Sequence, residues 1–325
     1  MKSANMFGLT FLTATSKTTT HRVVPFLIKR LLEGVAGYVA GAWNGSTFLS
    51  GIDKVTFPAD TKTTLSATLT TARSSAAGFA NSGAAGYVAG GNDGASVSGI
   101  DKVTFPADTK TTLSATLTGG RADLACFANS GTAGYAAGGY LGGYHSNIDK
   151  VTFPADTKTT LSATLTTARA YFTGFANSGV AGYVAGGYDT GNISGIDKVS
   201  FPADTKTTLS ATLTTARAGA AGFANSAVAG YVAGGYGSAP ISGIDKVTFP
   251  ADTKTTLSAT LTTARNTMSG FANSGVAGYV AGGFDSGLIS GIDKVSFPAD
   301  TKTTLSATLT TARQDTAGFA NSGSL

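Results

Sequence analysis

The sequence contains one cysteine, Cys126, and two histidines, His21 and His145. A single cysteine cannot form an intrachain disulfide or a cysteine metal cluster. Two isolated histidines cannot supply a repeated catalytic triad or a multi-histidine metal site. The only glutamate is Glu33, and neither a phosphate-binding loop nor calcium-loop spacing is present. These scarcities predict a protein that is not an enzyme and that carries no metal or cofactor.

Charge and long apolar runs are also scarce. Charged residues make up 13% of the chain, and no apolar run reaches the roughly 18 residues that a membrane span needs. The opening residues, MKSANMFGLTFLTATSK, lack the clean apolar core of a signal peptide. We therefore predict no membrane span and no clear secretion signal.

The chain consists of six copies of one unit, most of them 48 residues long. The tyrosine of the motif GYVAGG recurs in every unit, at Tyr38, Tyr87, Tyr135, Tyr183, Tyr231 and Tyr279. The copies follow one another without gaps from residue 36. A repeat array closes as one domain whatever its length, so we predict a basic N-terminal arm at residues 1–35 and one repeat domain at 36–325.

Each unit contains four short segments with the composition of β-strands. In the second copy they are AGFANSG (Ala77–Gly83), AGYVAGG (Ala85–Gly91), IDKVTF (Ile100–Phe105) and LSATLT (Leu113–Thr118). The segment PADTKTT, between the last two, has the proline, aspartate and threonines of a turn. Four strands per unit in six units predict an all-β fold, a six-bladed β-propeller of four-stranded antiparallel blades.

The unit also resembles a kelch repeat. The match consists of a strand aromatic followed by a glycine pair, an aromatic before a Pro–Asp turn, and a closing arginine. In the fourth copy these residues are Tyr183, Gly186, Gly187, Phe201, Pro202, Asp204 and Arg217. Leu209 stands where kelch units usually carry tryptophan. The resemblance covers about nine tenths of the chain and implies the propeller fold, which serves many functions. Copper oxidases of the kelch fold need histidine ligands in a pattern that this chain lacks.

The first unit lacks an AGFANSG segment before Tyr38, whereas the last unit is followed by a spare one at Ala317–Gly323. We predict that this C-terminal strand completes blade one and closes the ring without exposed strand edges. The kelch resemblance implies that this strand is the innermost one of its blade.

The copies differ mainly in two segments, one after the glycine pair and one after the closing arginine. Because neighbouring strands alternate in direction, both segments are expected at one end of the disc. We interpret that end as a recognition face for proteins or sugars, and the competing interpretation is drift after duplication. The predicted binding residues are Trp43, Tyr140, Tyr144, Tyr171, Tyr188, Tyr236, Phe284, Asp93, Asp189 and Asp285. Phe172, Asp123 and Asp315 are assigned to the same face.

Most of the net charge of +5 belongs to the arm, which has a net charge of +4. Its charged residues are Lys2, Lys17, Arg22, Lys29, Arg30 and Glu33. The repeat domain has no basic cluster, so we predict no nucleic-acid partner. Within each unit we predict an exposed cross-strand ion pair, such as Asp53 with Arg73, worth about 0–1 kcal/mol.

The arm carries the β-prone stretch VVPFLI at Val23–Ile28. We expect it to pair with the sheet or the acidic face of a neighbouring molecule, and a self-packed tail is the alternative. The predicted assembly residues are Arg22, Val23, Val24, Phe26, Lys29 and Arg30.

These features predict a structural or interaction protein that assembles with itself or binds another protein through the variable face and the arm. Low charge and near-identical units are similar to virion fibre and surface-filament proteins, which favours a virion-associated or extracellular location. The alternative is a multivalent lectin with six weak glycan sites. That alternative has a difficulty, because a repeated sugar site should be the part of the unit that stays constant.

Overall fold

The computed structural model describes residues 35–321, together with two short strands near the start of the chain. The chain divides into the units Met1–Gly34 and Val35–Leu325. Within Met1–Gly34, strand Asn5–Met6 pairs antiparallel with Leu9–Thr10. Within Val35–Leu325, six four-stranded antiparallel sheets form a six-bladed β-propeller, as the sequence predicts. This fold is consistent with the kelch-like pattern.

The strands of each blade are given from the axis outwards. Blades one to three contain Ala317–Asn321, Ala36–Trp43, Phe48–Thr56 and Thr61–Thr64; Ala77–Asn81, Ala85–Ala89, Ile100–Thr104 and Thr109–Thr112; and Ala125–Asn129, Ala133–Ala137, Asn147–Thr152 and Thr157–Thr164. Blades four to six contain Thr173–Asn177, Ala181–Ala185, Ile196–Ser200 and Thr205–Thr208; Ala221–Asn225, Ala229–Ala233, Gly243–Thr248 and Thr253–Thr260; and Ser269–Asn273, Ala277–Ala281, Ile292–Ser296 and Thr301–Thr304.

The C-terminal strand closes the ring. Strand Ala317–Asn321 pairs antiparallel with Ala36–Trp43, with Phe319 opposite Tyr38. The equivalent pairs within the other blades join consecutive strands, for example Phe127 opposite Tyr135. The predicted closure of blade one by the C-terminal strand is therefore confirmed.

The interface between neighbouring blades is built from aromatic rings packed on a glycine. In one such interface Phe127 of blade three stacks on Tyr135 and on Phe201 of blade four, with ring centroids 5.0 and 6.3 Å apart. The same ring lies over Gly182 in the second strand of blade four, where a Cβ atom would be 1.9 Å from Phe127 Cδ2. Only glycine fits at this position, which explains its presence in every copy.

The outer strand of each blade differs from the prediction. The paired segment is TKTT, such as Thr109–Thr112, which the sequence analysis assigned to a turn. The turn needs only Pro-Ala-Asp, because Asp108 adopts a φ of 54° and its amide donates to the Thr104 carbonyl at 2.8 Å. The segment LSAT continues the outer strand in blades three and five, at Thr157–Thr164 and Thr253–Thr260. In the other blades it lies beyond the strand end.

The predicted ion pair between Asp53 and Arg73 is wrong in its partners and in its exposure. Arg73 pairs with Asp101 of the next blade at 3.2 Å, and both side chains are buried. The pairing runs around the whole disc, and Arg313 returns to Asp53 at 2.8 Å. Each closing arginine therefore joins two blades.

Hydrogen bonds complete the environment of each of these aspartates. Asp101 accepts from the Thr70 amide at 2.9 Å, from the Thr70 hydroxyl at 2.7 Å and from the Thr112 hydroxyl at 2.8 Å. Burial by itself raises the pKa of Asp101, but these hydrogen bonds and the Arg73 charge outweigh it and hold the pKa below its usual value. The carboxylate therefore stays charged in the folded protein.

The invariant Pro-Ala-Asp turn makes a second contact between blades. Asp108 of blade two accepts from the Tyr38 hydroxyl at 2.8 Å and from Lys54 Nζ at 2.6 Å, both in blade one. Corresponding contacts recur in the other interfaces. At the interface between blades six and one, for example, Asp60 accepts hydrogen bonds from the Tyr279 hydroxyl and from Lys294 Nζ. The aspartate therefore both forms the turn and joins neighbouring blades, which explains why it is present in every copy.

No helix in the described part of the chain combines the length and the hydropathy that crossing a membrane requires.

Candidate functional site: the variable face

The two variable segments of the repeat meet at one end of the propeller. We call the segments after the glycine pairs the variable loops (residues 43–51, 92–99, 140–147, 188–195, 236–243 and 284–291). The segments after the closing arginines are the links (residues 74–76, 122–124, 170–172, 218–220, 266–268 and 314–316). Ala122 and Tyr140 exchange backbone hydrogen bonds of 3.1 and 2.8 Å, and each blade interface has the same bridge. Loops and links therefore share one end of the disc, which we call the variable face.

Most of the predicted aromatic residues are exposed on this face. Tyr140, Tyr171 and Tyr236 are 42%, 41% and 44% exposed, and Tyr188 and Phe284 are slightly less so. Trp43 is half-buried because its ring packs against Phe48 at a centroid distance of 5.0 Å. The variable face therefore presents a set of separate aromatic side chains to solvent.

Three of the tyrosines form a connected cluster. The ring of Tyr144 makes edge contacts with Tyr140 at 5.4 Å and with Tyr188 of the next blade at 6.2 Å. Aromatic pairs in this geometry are worth about 0.5–1.5 kcal/mol beyond the area that they bury. The contacts hold the loops of blades three and four together and leave Tyr140 and Tyr188 open to a partner.

The predicted loop aspartates also shape the loops. Asp189 Oδ1 accepts from the Gly191 amide at 3.1 Å, and these backbone hydrogen bonds lower the pKa of Asp189. Asp93 Oδ1 makes a similar contact with the Ala95 amide at 3.3 Å. Asp285 lies at the equivalent position of blade six and is partly exposed. The variable segments contain no lysine or arginine, so these carboxylates make the face acidic.

The links form a closed ring around the axis. The amide of each central link residue donates to the carbonyl of its counterpart in the preceding blade, at 2.6–2.9 Å. The six residues are Ser75, Asp123, Tyr171, Gly219, Thr267 and Asp315, and each has a φ between 54° and 62°. We call this cycle the axial ring. Sequence analysis missed it, because the bonds use main-chain atoms and leave the side chains free to differ.

The axial ring places two of the predicted acidic residues in a crowded environment. Burial, with the nearby Asp315 charge, raises the pKa of Asp123 to about 7, although hydrogen bonds from Ser75 and Tyr171 oppose the rise. Burial likewise raises the pKa of Asp315 to about 6. Both carboxylates line a small cavity that the link residues enclose at the propeller axis, and both are partly buried there. They are not freely solvated residues of a recognition surface.

The assignment of Phe172 to the variable face is wrong. Its side chain is buried and packs against Gly138 and Gly187, where added Cβ atoms would be 2.6 and 2.8 Å from it. Leu124 and Met268 occupy equivalent buried positions in blades three and six. The third residue of each link is therefore part of the core, and its variation reflects packing.

The remaining predicted site residues lie outside the described residues. They are the assembly residues of the arm, Arg22, Val23, Val24, Phe26, Lys29 and Arg30. Within the described part of the chain, no group of three or more histidine, cysteine, aspartate or glutamate side chains is placed to hold a metal ion.

No protein-family model matches the chain, and no curated protein is similar to it. The propeller fold itself commonly mediates protein interaction.

Proposed function

We propose that this chain is a non-enzymatic interaction protein that assembles with itself, in the manner of a virion fibre or surface filament. In this proposal the basic arm of one copy binds the variable face of the next. The partner of the variable face is thus a second copy of the same chain.

The observation that carries the proposal is the end of the disc at which the described propeller begins. The described propeller begins at Val35, whose carbonyl accepts from the Phe57 amide at 2.8 Å. Phe57 directly precedes the Pro-Ala-Asp turn, so Val35 lies at the invariant end. The segment before Val35 is therefore joined to the disc at the end opposite the variable face.

The charges of the arm and of the variable loops are complementary. The arm carries a net charge of +4, and the variable loops carry three aspartates, Asp93, Asp189 and Asp285, without a basic residue. Complementary charge steers association and sets its orientation, and salt weakens it over a Debye length of about 8 Å at physiological ionic strength.

A contact between two unlike surfaces of identical molecules is heterologous. Such contacts repeat from copy to copy and form closed rings or open filaments, depending on the rotation between copies. Because Val35 and the variable face lie at opposite ends of the disc, the expected product is a stack of discs.

The chemistry of the described residues supports a role without catalysis. Burial raises the pKa of the Cys126 thiol far above its ordinary value, so this cysteine is a poor nucleophile. The closing arginines are occupied by buried aspartates of neighbouring blades. The lectin with six equivalent sites is not proposed, because the loop residues around each exposed aromatic differ between blades.

Sedimentation velocity and negative-stain electron microscopy of the full-length chain test the proposal. We expect stacks at low salt that dissociate as salt is raised.

The variant Asp189→Lys/Asp285→Lys should remain monomeric, and so should Arg22→Glu/Lys29→Glu/Arg30→Glu. A mixture of these two variants should again form stacks in which the two variants alternate, because each surface of one variant is then opposite in charge to the surface it meets on the other. The control Thr207→Lys/Thr303→Lys adds charge to the exposed outer strands and should still assemble. A monomer at all salt concentrations, or stacks that survive both reversals, would refute the proposal.

A further inference from the structure

A cleft of about 410 Å³ opens on the variable face between the loop of blade three and the end of unit two. It is large enough for a small organic ligand, since ligand pockets measure about 300–1,000 Å³. Its lining includes Gly119, Leu141, Tyr144, His145, Ser146 and Asn147.

Most residues that give this cleft its character depart from the repeat. The positions of Gly119, His145 and Asn147 hold threonine, a branched aliphatic residue and glycine in the other five copies. The fourth unit, for example, has Thr167, Ile193 and Gly195 there. Leu141 and Tyr144 are likewise unmatched. Random drift would place residues that differ from the repeat at unrelated positions on the surface. These residues come from two separate segments of the sequence, and they lie together around one cleft.

The small residue at position 119 keeps the cleft open. A Cβ atom on Gly119 would lie 3.3 Å from Leu141 Cδ2, and the threonine of the other copies would extend further. His145 replaces the branched aliphatic side chain with a ring that can both donate and accept hydrogen bonds. Gly119 therefore removes bulk, and His145 and Asn147 add polar groups at the same place.

The lining chemistry indicates what kind of ligand the cleft accepts. Arg121 is already paired with Asp149 at 2.9 Å, and the lining contains no acidic side chain, so the cleft offers no free charge to an ion. The neutral polar side chains of His145, Ser146 and Asn147 line the cleft. The lining therefore suits a neutral ligand that forms hydrogen bonds with uncharged groups.

One wall of the cleft is aromatic. Tyr144 lies between Tyr140 and Tyr188, and the edge contacts with both hold its ring in place. Leu141 and Ala168 provide further apolar surface. A sugar ring has this combination of properties, since it carries an apolar C–H face and hydroxyl groups around its rim.

We infer that this cleft is a single carbohydrate-binding site that holds one neutral sugar ring. Tyr144 lies against the apolar face of the sugar, and the polar side chains in the lining, His145, Ser146 and Asn147, form hydrogen bonds with its hydroxyls. The site belongs to blade three alone among the six loops, because Gly119, Leu141, His145 and Asn147 occur together in that copy only. It does not depend on the proposed self-assembly.

Saturation-transfer NMR with a panel of methyl glycosides of glucose, galactose, mannose, fucose and N-acetylglucosamine tests this inference. We expect at least one member to receive saturation at millimolar concentration, and titration calorimetry then gives its affinity. The variant Tyr144→Ala should weaken this binding at least tenfold.

A second variant separates binding from folding. Gly119→Thr/Leu141→Asp/His145→Ile/Asn147→Gly restores the residues that unit four has at these positions, and it includes Leu141 because a side chain at position 119 would contact it. It should fold with an unchanged melting temperature and lose the sugar, whereas the control Ile193→Val in blade four should bind normally. The inference fails if no glycoside receives saturation, or if the restored variant binds as well as the parent. Testing the monomeric variant Asp189→Lys/Asp285→Lys in parallel keeps this result distinct from a failure of self-assembly.

Discussion

The guanidinium of Arg121 lies 2.9 Å from the Asp149 carboxylate of the next blade, and both side chains are buried. The two residues come from different units of the repeat, so the contact holds neighbouring blades together. The other closing arginines make the same contact, which makes the pair a general feature of the ring.

Removing one partner of this pair should cost far more than removing an exposed charge. Asp149→Asn leaves the Arg121 charge buried without its counter-ion, which destabilises proteins by about 3–5 kcal/mol. The exposed Asp93→Asn is the matched control and should change stability by less than about 0.5 kcal/mol. Urea unfolding followed by circular dichroism measures both, and equal midpoints for the two variants would contradict the assignment.

The glycine under each stacked aromatic ring should not tolerate a side chain. Gly182→Ala places a methyl group against Phe127, and overpacking of this kind costs about 1–3 kcal/mol. Gly191→Ala is the control, because no atom lies within 4 Å of the added carbon. Differential scanning calorimetry should show a lower melting temperature for Gly182→Ala only. A similar melting temperature for both variants would mean that the Phe127 ring moves aside without cost.

The tyrosines that join blades predict a loss of stability at high pH. Burial, with the Asp252 hydrogen bond and charge, raises the pKa of Tyr183 well above its ordinary value. A group with a raised pKa in the folded state stabilises fully below the unfolded pKa of about 10 and loses that contribution as pH rises further. The melting temperature should therefore fall above pH 10, and less steeply in Tyr183→Phe. An identical slope in the variant would show that Tyr183 is not responsible.

The axial ring predicts a second pH dependence, nearer neutrality. Because the pKa of Asp123 is raised to about 7 in the folded protein, its contribution is complete below the unfolded pKa of about 4. It declines as pH rises from 4 to 7. Stability should therefore decrease over this interval, and Asp123→Asn should reduce the decrease. Thermal melts at half-unit steps in constant ionic strength measure the effect, with Asp93→Asn as the control that should keep the parent profile.

The six-bladed architecture could be predicted because the same four strand-like segments recur in six units. The spare segment Ala317–Gly323 and the missing segment before Tyr38 together required that blade one be completed from the C-terminus. The pairing of Asp53 could not be predicted in the same way. Every unit carries the same aspartate and arginine, so pairing within a unit and pairing with the next unit look identical in the sequence.

The remaining errors have a different physical origin. TKTT and LSAT both alternate in the manner of an edge strand, and the composition does not show that the turn ends at Asp108. Phe172 lies in a variable segment, yet its position is set by space beneath Gly138 and Gly187. Variation between copies identifies where packing differs as well as where solvent begins, and only the structure separates the two.

The axial ring of six amide-to-carbonyl bonds has a consequence for how the molecule can change. Its hydrogen bonds use main-chain atoms only, so they constrain the side chains at Ser75 and its counterparts only through the left-handed backbone. The side chains around this opening can therefore differ between blades while the main-chain closure of the disc stays the same. A different set of side chains at these six positions would change the size and the chemistry of the opening at the propeller axis, while the backbone of the disc stays the same.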